Sequence, residues 1–162
     1  MSSRPRRQRA VVAAVALAIV VTATLAGCRR SASPVARLLE GQGSVEREHG
    51  GRSAAAPNGE PFVLGDAALT GPSAWARLRL RGGTVLRLGA DARVRFVSAG
   101  ARLEVGDAIA EEAPVTIITE AGPAILERGG VLRASGRPGA TRFEVVVGRA
   151  QLQRPDGDVT LE

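Results

Sequence analysis

The chain has 162 residues and a formal net charge of +6, and every one of its 22 basic residues is arginine. Four of those arginines lie within the first nine residues, so the rest of the chain is nearly balanced, with 18 arginines against 16 acidic residues. With one tryptophan, three phenylalanines and no tyrosine, the chain has neither the charge nor the aromatic surface that a nucleic-acid partner requires.

Residues 1–27 have the pattern of a secretory leader. The positive n-region contains Arg4, Arg6, Arg7 and Arg9. Residues 10–25 then form an uncharged apolar stretch. At about 16 residues, this stretch is shorter than the roughly 20 that a membrane-spanning helix prefers. A simple anchor helix followed by an incidental cysteine is the alternative.

The only cysteine follows this stretch directly, in the tetrad Leu25-Ala26-Gly27-Cys28. The tetrad resembles the lipobox of bacterial lipoproteins. That resemblance implies that the signal peptidase recognises the three residues before Cys28, removes the leader, and leaves Cys28 acylated with fatty acids such as palmitate. Several acyl chains on one residue would hold the protein firmly on a membrane. Arg29 in place of aspartate implies, by the same resemblance, the periplasmic face of the outer membrane rather than the inner.

We divide the remainder into a polar tether at residues 28–35 and one β domain at residues 36–162. Beyond the tether, apolar and charged residues alternate with period two, which predicts strands separated by glycine or proline. Residues 48–60, rich in glycine, serine and alanine, are predicted to form a surface loop. The predicted fold class is all-β: a largely antiparallel meander that forms a small β-sandwich or rolled sheet.

The alternation also predicts strand register, because facing residues of a hairpin must point to the same side of the sheet. A three-residue loop ending at Gly83 sets Leu78 opposite Leu86, with Gly83 in the left-handed conformation that such loops need. A second three-residue loop at residues 89–91 sets Leu86 opposite Val94. Three consecutive strands would then share one apolar face.

The next hairpin is predicted to have a two-residue turn at residues 99–100. This turn sets Phe96 opposite Leu103 and Arg95 opposite Glu104. The second pair is an exposed cross-strand ion pair, which supports register more than stability.

Consecutive pairing of these strands brings five arginines onto one outer face. They are Arg77, Arg87 and Arg93 in one row and Arg79 and Arg95 in the neighbouring row. Like charges opposed across strands are mildly destabilising, so the face requires counter-charges from the fold or from a ligand. One interpretation is a docking face for an anionic partner, such as lipopolysaccharide phosphate, a teichoic-type polymer or an acidic protein. The other is an ordinary solvated face in a protein without lysine.

A short pattern recurs three times: an apolar strand end followed by glycine, a charged residue and alanine. The copies lie at residues 62–67, 103–108 and 145–150. Glycine permits a positive φ or a bulge, and the following side chain can bond to backbone amides. We therefore predict equivalent corners of the sandwich, with structural turn residues at Gly65, Asp66, Gly106, Asp107 and Gly148, in addition to Gly83.

A larger pattern joins Gly65-Asp66 to residues 69–71, 74–80, 83–88 and 93–96. This order of glycines and alternating strands resembles the FecR-type domain, the periplasmic module of iron-dicitrate sensor regulators. The resemblance covers nearly the whole β domain and implies an all-β extracytoplasmic module that works by protein contact and not by catalysis. Family regulators also carry a cytoplasmic segment that binds a sigma factor. Only nine residues precede the apolar stretch here, so we expect no anti-sigma domain.

The reactive side chains predict no catalytic residue, metal site, cofactor or small-molecule substrate. The only histidine, His49, lies in the predicted loop and is expected to be solvated. A chain without lysine cannot form the usual phosphate-binding loop. Asp156 and Asp158 flank Gly157, and this arrangement favours a closing hairpin turn over a weak calcium site.

The sequence thus predicts a membrane-anchored extracytoplasmic lipoprotein whose FecR-type domain is a non-catalytic binding or scaffold module for another envelope protein. Two alternatives remain. One is an accessory of transmembrane signalling through sigma and anti-sigma factors. The other is a binder of anionic envelope glycan or lipid through the arginine face.

The lipobox makes a direct prediction about the mature N-terminus. Mass spectrometry of the membrane fraction is expected to show a chain that begins at Cys28 and carries the added mass of fatty acyl chains. An unmodified thiol in a chain that still carries the leader would contradict this prediction.

Overall fold

A computed structural model describes residues 33–112 and 114–162, and all regular elements in these ranges are β-strands. The predicted all-β class with mainly antiparallel pairing is confirmed. The lipobox and Cys28 lie outside the described residues. In chain order the strands are β1 (Ala36–Gln42), β2 (Val45–His49), β3 (Arg52–Ala55), β4 (Pro61–Phe62), β5 (Ala67–Thr70), β6 (Trp75–Leu80), β7 (Val85–Leu88), β8 (Arg93–Val97), β9 (Gly100–Glu111), β10 (Val115–Thr119), β11 (Gly122–Leu126), β12 (Val131–Arg137), β13 (Ala140–Val147), β14 (Ala150–Leu152) and β15 (Val159–Leu161).

These strands form two sheets that share β9. Sheet A has the order β4-β1-β6-β7-β9-β12-β13. Sheet B has the order β3-β2-β5-β8-β9-β10-β11-β14-β15. All neighbouring strands are antiparallel except β9 and β10, which are parallel.

Strand β9 belongs to both sheets because it bends at Gly106. Its first half pairs with β8 and β10 in sheet B, and its second half pairs with β7 and β12 in sheet A. Gly106 has φ +90°, and a Cβ atom there would lie 2.7 Å from the Cβ of Ala92 and 2.9 Å from the Asp91 carbonyl oxygen. Only glycine fits both the backbone conformation and this close approach.

The hydrophobic core lies between the two sheets. Alternate residues point inward from each strand, including Leu78 and Leu86 from sheet A and Val94 from sheet B, and all three are essentially inaccessible to solvent. Phe62 of sheet A and Phe96 of sheet B meet edge to face, with ring centroids 5.3 Å apart. Such aromatic pairs contribute about 0.5–1.5 kcal/mol beyond the area that they bury.

The first predicted hairpin has the expected register. Leu78 lies opposite Leu86 and Ala76 opposite Leu88. Gly83 has φ +95°, and its amide donates to the Leu80 carbonyl across a 2.9 Å hydrogen bond that closes the loop.

The predicted pairing of β7 with β8 is wrong, because the chain crosses from sheet A to sheet B between them. The buried hydroxyl of Thr70 fixes this crossing: it donates to the Gly89 carbonyl at 2.6 Å and accepts from the Ala92 amide at 2.9 Å. Leu86 and Val94 both face the core, but from opposite sheets. Period-two alternation is the same in either arrangement, so it could not distinguish them.

The β8–β9 hairpin forms with a register shifted from the prediction. Phe96 lies opposite Ala101 and not opposite Leu103, and the turn residues are Ser98 and Ala99. Gly100 is the first residue of β9, where a Cβ atom would overlap the Thr116 carbonyl oxygen of the neighbouring β10. The shift is two residues, so Phe96 and Leu103 both stay on the core face. A bulge between Arg93 and Val94 places Val105 opposite Arg93, where it is 36% exposed.

Each copy of the recurring pattern lies where the chain passes from one sheet to the other. Residues 62–67 join β4 of sheet A to β5 of sheet B, residues 103–108 contain the bend in β9, and residues 145–150 join β13 of sheet A to β14 of sheet B. The copies differ in their contacts. The Asp66 carboxylate accepts a 2.8 Å hydrogen bond from the Val63 amide, whereas Asp107 uses its backbone carbonyl to accept from Gly89.

The predicted loop at residues 48–60 is partly wrong. Strand β2 continues to His49 and forms a hairpin with β3, in which His49 lies opposite Arg52 and Glu46 opposite Ala55. Charged residues occupy both faces of β2, so the strand carries no apolar alternation. A loop remains only between β3 and β4.

The bend in β9 can be tested with two matched alanine variants. Gly65 also has φ +90° but has open space around its missing Cβ, so Gly65→Ala carries the backbone cost alone, about 1–2 kcal/mol. Gly106→Ala adds a backbone clash, and we expect it to lower the free energy of unfolding by about 3 kcal/mol or more. Denaturant titration measures both. Equal losses for the two variants would contradict the close approach at Gly106.

Candidate functional site

The five arginines of the predicted face do not share one surface. Arg77 and Arg79 on β6 and Arg87 on β7 lie in sheet A, while Arg93 and Arg95 on β8 lie in sheet B. The division follows directly from the crossing between β7 and β8. The expectation of a single five-arginine face is therefore wrong, and the two groups have different electrostatic surroundings.

In sheet B, two glutamates neutralise the arginines. Glu48 lies 2.6 Å from Arg93 and 3.0 Å from Arg95, and Glu104 lies 2.7 Å from each of them. The contacts with Glu104 include the predicted Arg95–Glu104 pair, although the two residues are diagonal rather than directly opposite. Ala67 lies between Glu48 and Arg95 in the strand register, and its small side chain leaves room for the pair to meet above it.

This four-residue network shifts the pKa of Glu48 and the pKa of Arg95. Hydrogen bonds to Glu104 and then Glu48 raise the pKa of Arg95 above its ordinary value, despite opposition from burial. The hydrogen bond from Arg95 is the largest cause that lowers the pKa of Glu48, and the charge of Arg93 adds to it. Both groups therefore stay charged at neutral pH, and the arginines of sheet B are engaged within the fold.

In sheet A, the arginines are only partly compensated. Arg87 forms a 2.7 Å ion pair with Glu111. Arg77 lies directly opposite Arg87 on one side and opposite Glu40 on the other. Among the described residues, however, neither Arg77 nor Arg79 has an ion-pair partner. The Nε atom of Arg77 is buried and makes no hydrogen bond within that part of the chain.

These side chains form a definite surface on the outer side of sheet A. Arg77 and Arg79 are two residues apart on β6, so both point outward, and Trp75 precedes them on the same face. Trp75 is 36% exposed, and its indole nitrogen donates to the Gln42 side chain at 2.8 Å. We call Arg77, Arg79 and the adjoining Arg87 the sheet-A arginine cluster.

A second charged group, which sequence reasoning missed, surrounds Asp66. The carboxylate of Asp66 is almost fully buried and accepts hydrogen bonds from Arg47 Nε at 2.7 Å and His49 Nδ1 at 2.6 Å. Arg47 also contacts Glu60 at 2.8 Å. Burial alone would lower the pKa of Arg47, but the hydrogen bonds to Glu60 and Asp66, together with the charges of both carboxylates, raise it above its ordinary value.

The structure corrects the prediction that His49 lies in a loop, although most of its ring is solvated as expected. His49 is the last residue of β2, and its ring is 67% exposed while its Nδ1 is held by Asp66. The same carboxylate accepts from the Val63 amide, so the group ties β2 to the turn before β5. The recurrent Gly-Asp pattern was the one sequence signal that indicated Asp66, and nothing in the sequence pointed to Arg47.

Two further kinds of feature are absent from the same ranges. Residues 33–112 and 114–162 contain no group of three or more histidine, cysteine or carboxylate side chains placed to hold a metal ion. No helix with the length and apolar character needed to cross a membrane occurs in that part of the chain. The two charged networks and the sheet-A arginine cluster are therefore the features on which a functional assignment can be built.

Comparisons with known proteins add no relative. No family model, no curated protein and no solved structure matches the chain. Function must be argued from the charges and strands themselves.

The sheet-B network predicts a specific pH dependence. The folded-state pKa of Glu48 is below its ordinary value of 4.5, so its ion pairs stabilise the fold above that pH and are lost as pH falls through the lowered pKa. Glu48→Gln should therefore lower Tm at pH 7, and the difference from the unmodified protein should shrink in acid.

Glu46→Gln is the matched control, because Glu46 lies on the same strand and has no arginine partner in the described residues. Thermal unfolding between pH 7 and pH 3 measures both variants. A Tm difference for Glu48→Gln that stays constant over this range would show that the network contributes no charge-dependent stability.

Proposed function

We propose that the chain is a lipid-anchored, non-catalytic binding module of the cell envelope, and that its sheet-A arginine cluster docks an acidic segment of another envelope protein. The lipobox at Cys28 supports the anchor, and the resemblance to FecR-type domains supports a role in protein contact. Neither the membrane anchor nor the role in protein contact requires an enzymatic centre. The observation that carries the docking surface is the contrast between the two groups of arginines.

That contrast is electrostatic. Arg93 and Arg95 share Glu48 and Glu104, so the fold itself supplies their counter-charges. Arg77 and Arg79 have no such partner within the described residues, and Arg77 also opposes Arg87. Opposed like charges are destabilising. An incoming carboxylate would relieve that repulsion.

The spacing of the cluster favours an extended acidic peptide. Arg77 and Arg79 are alternate residues of one strand, so their Cα atoms are about 6.8 Å apart. Alternate carboxylates in an extended segment have the same spacing. The planar guanidinium of arginine pairs with carboxylates in a two-pronged geometry, which gives such a segment a defined register on β6.

The proposal leaves His49 without a catalytic role. Its Nδ1 is committed to Asp66, and that carboxylate is engaged by Arg47 and Val63 as well. We assign this group to the structure of the turn between β4 and β5. Burial of a fully hydrogen-bonded carboxylate is consistent with such a structural role.

Two double variants of equal charge test the cluster. Arg77→Gln with Arg79→Gln removes two charges from sheet A, while Arg102→Gln with Arg128→Gln removes two exposed charges elsewhere. We expect the first to weaken binding of the full chain to a poly-glutamate peptide by about tenfold, the equivalent of two exposed ion pairs. The second should leave binding unchanged. Titration at low salt measures the affinities.

Inorganic polyphosphate, used in the same titration, separates the partner classes. Arginine-dependent binding of polyphosphate that exceeds binding of the peptide would contradict the proposal and favour an anionic glycan or lipid. An equal loss of peptide affinity in both double variants would show that binding depends only on net charge, and it would contradict a specific docking surface. In cells, crosslinking of the anchored protein to an anti-sigma protein or a TonB-type receptor would favour the signalling alternative.

A further inference from the structure

Strand β13 is the longest open edge in the described part of the chain. It has eight residues, and in that part it pairs only with β12. The other edge strands are β3, β4 and β15, with four, two and three residues. Short edges resist pairing with other chains, whereas a long open edge presents a row of unpaired backbone groups. β13 contains neither proline nor glycine, and only a bulge at Val146 interrupts its pairing.

The core side of β13 is incompletely covered. Phe143 and Val145 pack against the hydrophobic core but remain partly exposed. Val146 and Val147, at the end of the strand, are 58% and 52% exposed. A further strand beside β13 would cover these apolar side chains and complete the backbone hydrogen bonds of the edge.

The outer side of β13 carries one charge of each sign. Arg142 and Glu144 are both exposed, and among the described residues Arg142 has no ion pair. Glu144 has one contact, with Arg133 at 3.9 Å, where both side chains are about half exposed. Because the Glu144 contact is long and half exposed, both charges remain accessible to a second chain.

We propose that two copies of the chain pair antiparallel through β13, with Phe143 of each copy at the two-fold axis. Core-facing residues must meet core-facing residues, so the two-fold axis passes through a residue of the strand. Three of these registers, centred on Arg142, Phe143 and Glu144, place charged residues opposite each other. One sets Arg142 opposite Arg142 of the second copy. Another sets Glu144 opposite Glu144 of the second copy. The third sets Phe143 opposite Phe143 and forms two Arg142–Glu144 pairs between the copies.

Charge therefore selects a single register, and it selects a second copy of the chain as the partner of the β13 edge. The strand is self-complementary only when Phe143 lies on the axis, because the other two registers oppose like charges. The two-fold axis is perpendicular to sheet A. The A sheets of the two copies therefore form one continuous sheet, and their outer faces lie on the same side of it. The sheet-A arginine clusters of both copies would then face one partner surface, although the pairing itself does not depend on them.

A charge swap tests this pairing with the full chain in density-matched detergent. Arg142→Glu and Glu144→Arg each place two like-charge pairs at the interface, and we expect each to raise the dimer dissociation constant about tenfold or more. The combined variant Arg142→Glu with Glu144→Arg restores two opposite-charge pairs and should restore the dimer. Sedimentation equilibrium measures all four proteins. A monomeric unmodified chain, insensitive single variants, or a combined variant no better than the singles would overturn the proposal.

Cysteine crosslinking tests the register of the β13 pairing independently of the charge swap. Directly opposite residues have Cβ atoms about 4.5–5.5 Å apart, close to the range that a disulfide needs. A mixture of Arg142→Cys and Glu144→Cys chains should therefore crosslink on oxidation, while each variant alone should not. The unmodified chain controls for Cys28. Crosslinking of either variant with itself would show a different register and contradict the proposed axis.

Discussion

Everything in this fold depends on one shared strand. Strand β9 contributes its first half to sheet B and its second half to sheet A, and Gly106 allows the bend between them. No other residue type fits there, because the backbone of Asp91 and Ala92 approaches too closely. The bend also determines that β7 and β8, which are neighbours in the sequence, pair with different halves of β9 and so belong to different sheets.

The separation of β7 from β8 decides which charges are available. It brings Arg93 and Arg95 beside Glu48 and Glu104, where the fold compensates them. It leaves Arg77 and Arg79 on the outer side of sheet A without carboxylate partners in the described residues. The proposed docking function follows from this uneven pairing: Glu48 and Glu104 each contact both arginines of β8, whereas in the described residues only Arg87 of the sheet-A arginine cluster has a carboxylate partner.

Local features of the fold could be predicted from the sequence, and long-range ones could not. The β6–β7 register followed from facing Leu78 and Leu86 and from a glycine suited to the loop. The β7–β8 crossing depends on hydrogen bonds that the hydroxyl of Thr70, a residue distant in sequence, donates to Gly89 and accepts from Ala92. Alternation is identical whether two strands are adjacent or face each other across a core. The environment of His49 was missed for a related reason: β2 carries charges on both faces, so no periodicity indicated a strand.

The central claim is that β7 and β8 are not neighbours in one sheet. Backbone NMR tests it most directly, through cross-strand nuclear Overhauser effects between α-protons and amide protons. The account predicts contacts between Leu86 and Ala110 and between Val94 and Leu103, and none between the backbones of Leu86 and Val94. Cross-strand contacts between β7 and β8 would restore a simple meander, reunite the five arginines on one face and contradict the account.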